Sequence, residues 1–539
     1  MNLSRRKTLS VMAGAPALLL SHKSMAQGSL LTELLGGGEE WPSATTTDGP
    51  SSPVLEIAPG PFRGTRESLR EWQVPDWYRD AKFGIWAHWG PQSAVEYGDW
   101  YARNMYVQDQ PQYLYHCETY GHPSKVGYKD LVNLWKAEKW DPDHLMGLYK
   151  KAGAKYFFSM GVHHDNFDLW NSKYTRWNAV NMGPKKDVVG LWQKAARNHG
   201  LRFGVSEHLW ISFKWFAVSH GADKTGPMAG VPYDGVDPKY ADLYHDAGCE
   251  PFIDKLEWND NGIPDSWRQH YLNRMTDLID KYHPDILYTD GHLPFEKYGL
   301  KMVSHLYNES ALMNGGKVEA VYTSKEPSDC AVGTCALDHE RGVADSIAEN
   351  PWQTDTCIGQ WHYKRGQKYK TAKKVIDLLT DIVSKNGNLL LNFPLPNSGQ
   401  LDFEEMEVLQ GITAWMQINS EGIYATRPWK IYGEGPSTQV KIVSGRFNED
   451  KQKDFTAEDV RFTTKGSTLY AFVMGWPEKE AVVQALGLAS SQQPGKIHNV
   501  EILGHKASAN WKQDDTALKV QTPAEKLSDI GITLKVELA

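Results

Sequence analysis

The chain has little cysteine: five residues in 539, at Cys117, Cys249, Cys330, Cys335 and Cys357. No CxxC pair and no Cys/His zinc spacing occurs. An odd count leaves at least one thiol free or intermolecular. Cys330 and Cys335 are close enough for one small disulfide loop, which an exporting compartment would permit. Basic excess is lacking too. The formal net charge is −8 with no basic stripe, which argues against nucleic acid and gives no support for an anionic membrane surface. Beyond an N-terminal run, no stretch approaches the ~18 apolar residues of a membrane span. No GxGxxG or Walker sequence follows any candidate strand, so a nucleotide reading has no support and no cofactor is expected.

What is present begins with an address. Ser4-Arg5-Arg6-Lys7 precedes an apolar run from Leu9 to Leu20 and then Ser24-Met25-Ala26. That is a charged region, a hydrophobic region and a small-residue cleavage site. The arginine pair resembles a twin-arginine export signal, with a general secretory signal as the alternative. Residues 1–26 are therefore expected to direct export to the periplasm or exterior and to be removed. Residues 27–60, rich in Gly, Ser, Thr and Pro, read as a flexible lead-in. The remaining length predicts two domains, and 41% hydrophobic with 23% charged residues suits a chain with a large core.

From residue 61 a repeating order appears. Asp141-Pro142 opens a helix as N-cap and first-turn proline, with Leu145, Met146, Tyr149 and Ala152 on one face. Gly153 closes it and the strand Lys155 to Val162 follows. Asp187 caps another helix that leads to Leu201–Val205, Pro264–Tyr282 leads to Ile286–Tyr288, and a helix ending at Asn386-Gly387 leads to Asn388–Phe393. Helix then strand, repeated, demands a parallel sheet with helices outside. Five strands end in polar residues: His88, His163-His164, Glu207-His208, Asp290 and Asn392. A doubly wound sheet collects ligands near one switch point, whereas a barrel collects them from many strands at one rim. The α/β prediction is thus a (β/α)8-type barrel over 61–429. From Lys430 onward, short alternating runs at Val440–Val443, Leu469–Val473, Val500–Leu503, Leu518–Val520 and Ile532–Val536 predict an antiparallel β-sandwich over 430–539. The sandwich is expected to have its own core and to stay out of the chemistry.

The focal stretch is Asp285-Ile286-Leu287-Tyr288-Thr289-Asp290-Gly291. A carboxylate at the carboxyl end of a buried strand, with glycine letting the chain turn away, belongs at the mouth of such a barrel. The rim histidines admit two readings. As metal ligands, His88, His163 and His164 could serve only if the second strand ends there, because adjacent strand residues face opposite ways. The His-x-His of many metal-dependent barrel hydrolases is missing, since the first strand ends Ala87-His88-Trp89. As hydroxyl partners, they suit a sugar, and the 21 tryptophans offer flat apolar faces for sugar rings. Hydrolysis of a glycosidic bond then needs one carboxylate to attack or activate water and a second carboxyl to protonate the leaving oxygen.

Several long stretches, in order, resemble one family. Trp77-Tyr78-Arg79-Asp80-Ala81-Lys82-Phe83-Gly84-Ile85-Trp86-Ala87-His88-Trp89-Gly90, Gly98-Asp99-Trp100-Tyr101, His163-His164-Asp165-Asn166-Phe167-Asp168-Leu169-Trp170 and Lys385-Asn386-Gly387-Asn388-Leu389-Leu390-Leu391-Asn392 are similar to motifs of the α-L-fucosidases of glycoside hydrolase family 29. The resemblance covers roughly residues 70 to 430. It implies an exo-acting, retaining enzyme that releases L-fucose from fucosylated glycans or polysaccharides without a metal. It implies a nucleophile at Asp290, in Tyr288-Thr289-Asp290-Gly291, and an acid/base at Glu340, in Leu337-Asp338-His339-Glu340-Arg341-Gly342, with Asp338 next in line. Fucose contacts are implied for His88, Trp100, His163 and His164. Glu207, His208, Tyr288 and Arg341 complete the expected substrate-binding set. Departures are Tyr288 where tryptophan is usual, Ser206-Glu207-His208 in place of a tyrosine-containing strand end, and a long insertion at about Trp210 to Asn261, while Gln353 stands for glutamate in Pro351-Trp352-Gln353-Thr354. Two other classes remain open: a catalytically silent carbohydrate-binding barrel and a metal-dependent barrel hydrolase.

Overall fold

Alternating helices and strands build a parallel barrel in the computed structural model, which describes residues 56–245, 256–331 and 333–538. The expected export signal, most of the lead-in, and Cys249 lie outside the described residues. The strands are β1 (Phe83–Ala87), β2 (Tyr156–Val162), β3 (Arg202–Glu207), β4 (Ile286–Thr289), β5 (Val321–Ser324), β6 (Ala336–Leu337), β7 (Trp352–Cys357) and β8 (Gly387–Asn392). They pair in parallel in the order β6-β5-β4-β3-β2-β1-β8-β7. Beyond the two-residue β6 the circle is nearly closed. Asp338 bridges Gln353, and the His339 and Arg341 amides donate to the Gln353 and Asp355 carbonyls at 2.9 and 2.8 Å. Every residue of β1, β2 and β8 is buried, as strands enclosed on both faces must be.

Six longer helices surround or flank the barrel: α1 (Pro142–Lys151), α2 (Val188–Asn198), α3 (Asp265–Tyr282), α4 (Lys297–Met313), α5 (Ala372–Ser384) and α6 (Phe403–Asn419). Their starts follow the sequence signals. Asp141 and Asp187 accept the His144 and Gly190 amides at 3.0 and 2.9 Å, satisfying donors that have no partner inside the helix. Among the described residues, no helix is long and apolar enough to cross a membrane.

After α6 the chain enters antiparallel sheets. One has five strands, β9 (Arg427–Glu434), β10 (Val460–Lys465), β11 (Thr468–Val473), β13 (Ile497–Ile502) and β16 (Ile532–Leu538). The other has three, β12 (Glu480–Val483), β14 (Trp511–Gln513) and β15 (Leu518–Gln521). Phe462, Leu469, Leu518, Leu534 and their neighbours form a core shared by the two sheets. The sandwich docks on α5 through Asp381, which is fully buried and accepts Lys385 Nζ, Arg461 Nε and Gln452 Nε2 at 2.8, 2.7 and 2.8 Å.

One predicted strand is absent. Val440–Val443 forms no strand. The segment leaves the sandwich between β9 and β10 and runs to the barrel rim, where Gly445 bridges Val343. Its alternation reflects a strap with one side on the barrel rather than a sheet partner.

Candidate active site

The carboxyl ends of the strands meet at a pocket of about 570 Å³. Trp86, His88, His163, His208 and Tyr288 line its buried floor, and Trp100, Trp258 and Phe447 its mouth. Asp290 follows β4. Gly291 lets the chain turn there with φ +128°, and a side chain at 291 would come within 3.0 Å of the Trp210 ring. The Trp210 indole N–H donates to the Asp290 carbonyl at 2.6 Å.

The Asp290 carboxylate is held on both oxygens. Lys325 Nζ donates to Oδ1 at 2.6 Å, while His164 Nε2 and His208 Nδ1 lie 3.3 and 3.2 Å from Oδ2. The same Lys325 ammonium donates to Glu340 Oε2 at 2.7 Å. The two carboxylate oxygens are therefore separated by no more than the sum of those bonds, about 5.3 Å. Carboxyl groups roughly 5–5.5 Å apart suit a nucleophile and an acid/base, whereas inverting pairs stand farther apart to admit water. Asp355 joins the group, with Oδ2 3.6 Å from Lys325 and accepting the Tyr288 hydroxyl at 2.9 Å. Here the Tyr288 hydroxyl, at the position where the resembled motif has tryptophan, ties β4 to β7.

Electrostatics separate the two carboxyls. Burial alone would raise Asp290, but the Lys325 charge, with His208 and His164, outweighs it and holds the group well below the usual carboxylate range. Burial raises Glu340; Lys325 opposes that rise, and the charges of Asp355 and Asp290 support it. The surroundings thus push the two carboxyls in opposite directions, Asp290 down and Glu340 up, which is the direction of the division of labour glycosidic cleavage requires. Lys325 stays charged: burial would lower it, but the carboxylates around it push it well above its ordinary value.

Several buried polar atoms facing this space have no protein partner. Both ring nitrogens of His88, Nε2 of His208, Nε2 of His362 and Oδ1 of Asp355 are among them. Buried polar groups are nearly always paired, so these atoms are free to bond a polar ligand or water. Burial holds His88 and His163 well below the ordinary histidine range and His208 down to about 4. Neutral imidazoles can both donate and accept, which matches a polyol. The ring positions are fixed from behind: Gln92 contacts His163 Nδ1 at 2.9 Å, His362 Nδ1 meets Asp99 at 2.6 Å, and the His88 amide donates to Asn392 Oδ1 at 2.7 Å. His88, Asp99, His163 and His362 also present ligand atoms within 4.8 Å of one another, as do His163, His164 and His208. By donor count either set could hold a cation.

The structure brings Asp290, Glu340, His88, Trp100, His163, His208 and Tyr288 to one pocket, with His164 against Asp290. His163 and His164 both face it because β2 ends at Val162. Two residues read as substrate contacts lie elsewhere. Glu207 and His208 are neighbours, so when His208 faces the pocket Glu207 faces the helices. The Glu207 carboxylate accepts the Leu209 amide at 2.9 Å and the Tyr271 hydroxyl at 2.8 Å, and burial pushes it up to about 7. Arg341 turns away from Glu340. Its guanidinium donates to the Gly359 carbonyl at 3.2 Å and lies over the Trp361 ring at 5.3 Å, so it backs a pocket wall. Asp338 is fully buried beneath β6, where Gln353 Nε2 donates to it at 2.7 Å.

Sequence reasoning missed Lys325, Asp355 and the strap residues Arg446 and Phe447. Lys325 directly follows the four-residue β5 and Asp355 lies inside the polar-rich β7, so neither ends a long apolar run. Cys330 and Cys335 are disulfide-bonded, close after Lys325.

Two carboxyls on one ammonium, pushed apart in acidity and set among imidazoles and aromatic rings at the rim of a parallel barrel, suit a glycoside hydrolase. Comparisons with known proteins narrow this. Residues 52–421 match the family model for α-L-fucosidase, and residues 452–537 match that for the α-L-fucosidase C-terminal domain. The chain belongs to the α-L-fucosidase family. Mouse tissue α-L-fucosidase is 26% identical over 480 residues, covering 86% of this chain and 90% of that protein. Human plasma α-L-fucosidase is 26% identical over 476 residues, covering 86% and 88%. The Thermotoga maritima α-fucosidase solved in complex with fucose superposes with a TM-score of 0.65 at 26% identity, over 89% of this chain and all of that one. The same enzyme with a mechanism-based inhibitor gives a TM-score of 0.67.

Proposed function

We propose that this α-L-fucosidase is an exported, exo-acting enzyme that retains anomeric configuration, with Asp290 as nucleophile and Glu340 as acid/base. The observation that carries the reading is the pair of carboxylate oxygens on one ammonium, about 5.3 Å apart at most. In the first step an Asp290 oxygen attacks the anomeric carbon of a terminal fucose. The bond to the leaving oxygen breaks and Glu340 transfers its proton to that oxygen. In the second step Glu340, now a base, takes a proton from water, and the hydroxide displaces Asp290 from the glycosyl ester. Two inversions give retention. His88, His163 and His208 fit the role of hydroxyl partners, and no step calls for a metal.

The pocket favours a single terminal sugar over an internal chain segment, because its floor is closed by buried Trp86 and Tyr288. The substrate class is a fucosylated glycan or fucose-containing polysaccharide. Export rests on the twin-arginine-like leader, Ser4 to Ala26, and sequencing of the mature N-terminus checks it, with a start near Gln27 expected.

The mechanistic test is a pair of variants. Asp290→Ala should lose nearly all turnover on every fucoside, because no glycosyl ester forms. Glu340→Ala should fail on natural fucosides, keep forming the ester from aryl fucosides with good leaving groups, and turn over faster with azide. Full hydrolysis of a natural fucoside by Glu340→Ala would remove it from the mechanism.

A further inference from the structure

The strap between β9 and β10 belongs to the catalytic pocket rather than to the sandwich. The Phe447 amide donates to the Glu340 carbonyl at 2.8 Å, and the Asn448 and Glu449 amides both donate to the Arg341 carbonyl at 3.0 Å. The Arg446 guanidinium donates to the Lys325 carbonyl. The residues carrying the proposed acid/base and its ammonium partner are thus gripped through their backbones by a segment more than a hundred positions downstream. Arg341 in the turn and Phe447 in the strap have φ of +45° and +53°. Bulky residues rarely adopt that region and hold it only where the surroundings over-determine them. At Gly342 an added Cβ would sit 2.0 Å from the Gly445 carbonyl oxygen, so only glycine lets strap and turn lie this close.

The Phe447 ring lines the pocket yet remains 63% exposed. An aromatic ring open to solvent at the mouth of a sugar pocket is a surface in want of a partner. Glu340 must deliver its proton to the leaving oxygen, so whatever is attached to that oxygen emerges beside Glu340, and Phe447 is bonded to Glu340 through the backbone.

We infer that Phe447 is the platform of a leaving-group subsite, stacking on the apolar face of the first pyranose beyond the fucose. The enzyme is thereby tuned to fucosyl oligosaccharides over fucosides with small leaving groups. This rests on Glu340 being the acid/base.

The test compares kcat/KM on a fucosylated trisaccharide with kcat/KM on α-L-fucosyl fluoride, whose leaving group has no ring to stack. For Phe447→Ala the ratio of the two should fall about tenfold, the size of one lost ring-stacking contact. Phe447→Leu, which keeps bulk without a ring, should behave like alanine, and Phe447→Trp should hold the parent ratio. Gly342→Ala, which forces the strap outward, should lower the ratio as well. A parental ratio in Phe447→Ala or Phe447→Leu overturns the platform. So does an equal loss on both substrates, which would make Phe447 a brace for Glu340 alone. Glu340→Ala run beside them separates the failures: if it hydrolyses the trisaccharide normally, the acid/base assignment falls and the platform with it.

Discussion

Replacing Lys325 by methionine removes an ammonium that contacts both proposed catalytic carboxyls. It lies 2.6 Å from Asp290 and 2.7 Å from Glu340, with its side chain 2% exposed. Unit charges that close interact by on the order of 6 kcal/mol at an effective dielectric near 20, before the penalty of burying them. Losing one partner of such a group costs about 3–5 kcal/mol, because the remaining charge stays buried and unpaired. Spread between stability and the transition state, that predicts a fall in kcat/KM of roughly 100- to 1000-fold, about 2.7–4 kcal/mol. The pH profile is the sharper assay. Activity needs Asp290 ionised, so it is lost as pH falls through that group's pKa. It needs Glu340 protonated, so it is lost as pH rises through the second pKa. Lys325 lowers both groups; its removal should carry both limbs of the kcat/KM bell to higher pH. Lys325→Arg, which keeps a cation, should shift them less. A methionine variant with the parental bell in place would refute the claim that this ammonium sets the two carboxyls, whatever its effect on rate.

Three further outcomes are expected. Asp381→Ala should destabilise the fold by about 3–5 kcal/mol in denaturant titration, since it strands the buried Lys385 and Arg461 charges. Those cations hold Asp381 below its ordinary value against burial, so its contribution is present above the unfolded carboxylate pKa and lost as pH falls through the folded one; a variant no more acid-resistant or acid-sensitive than the parent would contradict this. Exhaustive dialysis against a chelator should leave parental turnover intact, and stoichiometric metal lost together with activity would reassign the His88, Asp99, His163 and His362 group. Truncation after Trp429 should impair the catalytic step itself, measured as kcat per folded molecule on fucosyl fluoride, because the bonds that hold the Lys325, Glu340 and Arg341 carbonyls leave with the strap; unimpaired kcat in a folded truncation would confine the strap to substrate binding.

The sequence made part of this legible for physical reasons that differ by element. β1, β2, β4 and β8 were readable because each is a short apolar run after a helix, and Asp141 and Thr371 cap the helices before β2 and β8. β7 was not, although all six of its residues are buried: Gln353 and Asp355 pair with Asp338 and Tyr288, Thr354 and Thr356 with Gly342 and Glu449, and hydropathy takes so polar a run for a loop. β6 has two residues, too few for any periodicity. Asp290 and Glu340 could be located from motifs. Lys325 could not, because β5 offers only four residues before it. The placement of Glu207 failed for a simpler reason: adjacent polar residues at a strand end were both assigned inward, though the pleat admits one. The strap was invisible since its contacts are set by pairing with a turn about a hundred residues away, not by any local pattern.

The strap also orders events during synthesis. Chains emerge N-terminus first, and domains fold as they appear. When the last barrel strand, ending at Asn392, has left the ribosome, the segment that grips Glu340 and Arg341 has not. At that moment the Glu340 and Arg341 carbonyls lack the amides that pair with them in the finished molecule. The nascent barrel thus carries one wall of its pocket unpaired, and the pairing comes only after the chain has crossed into its second domain and doubled back. Completion of that wall is a late event, set by a part of the gene that encodes no barrel strand at all.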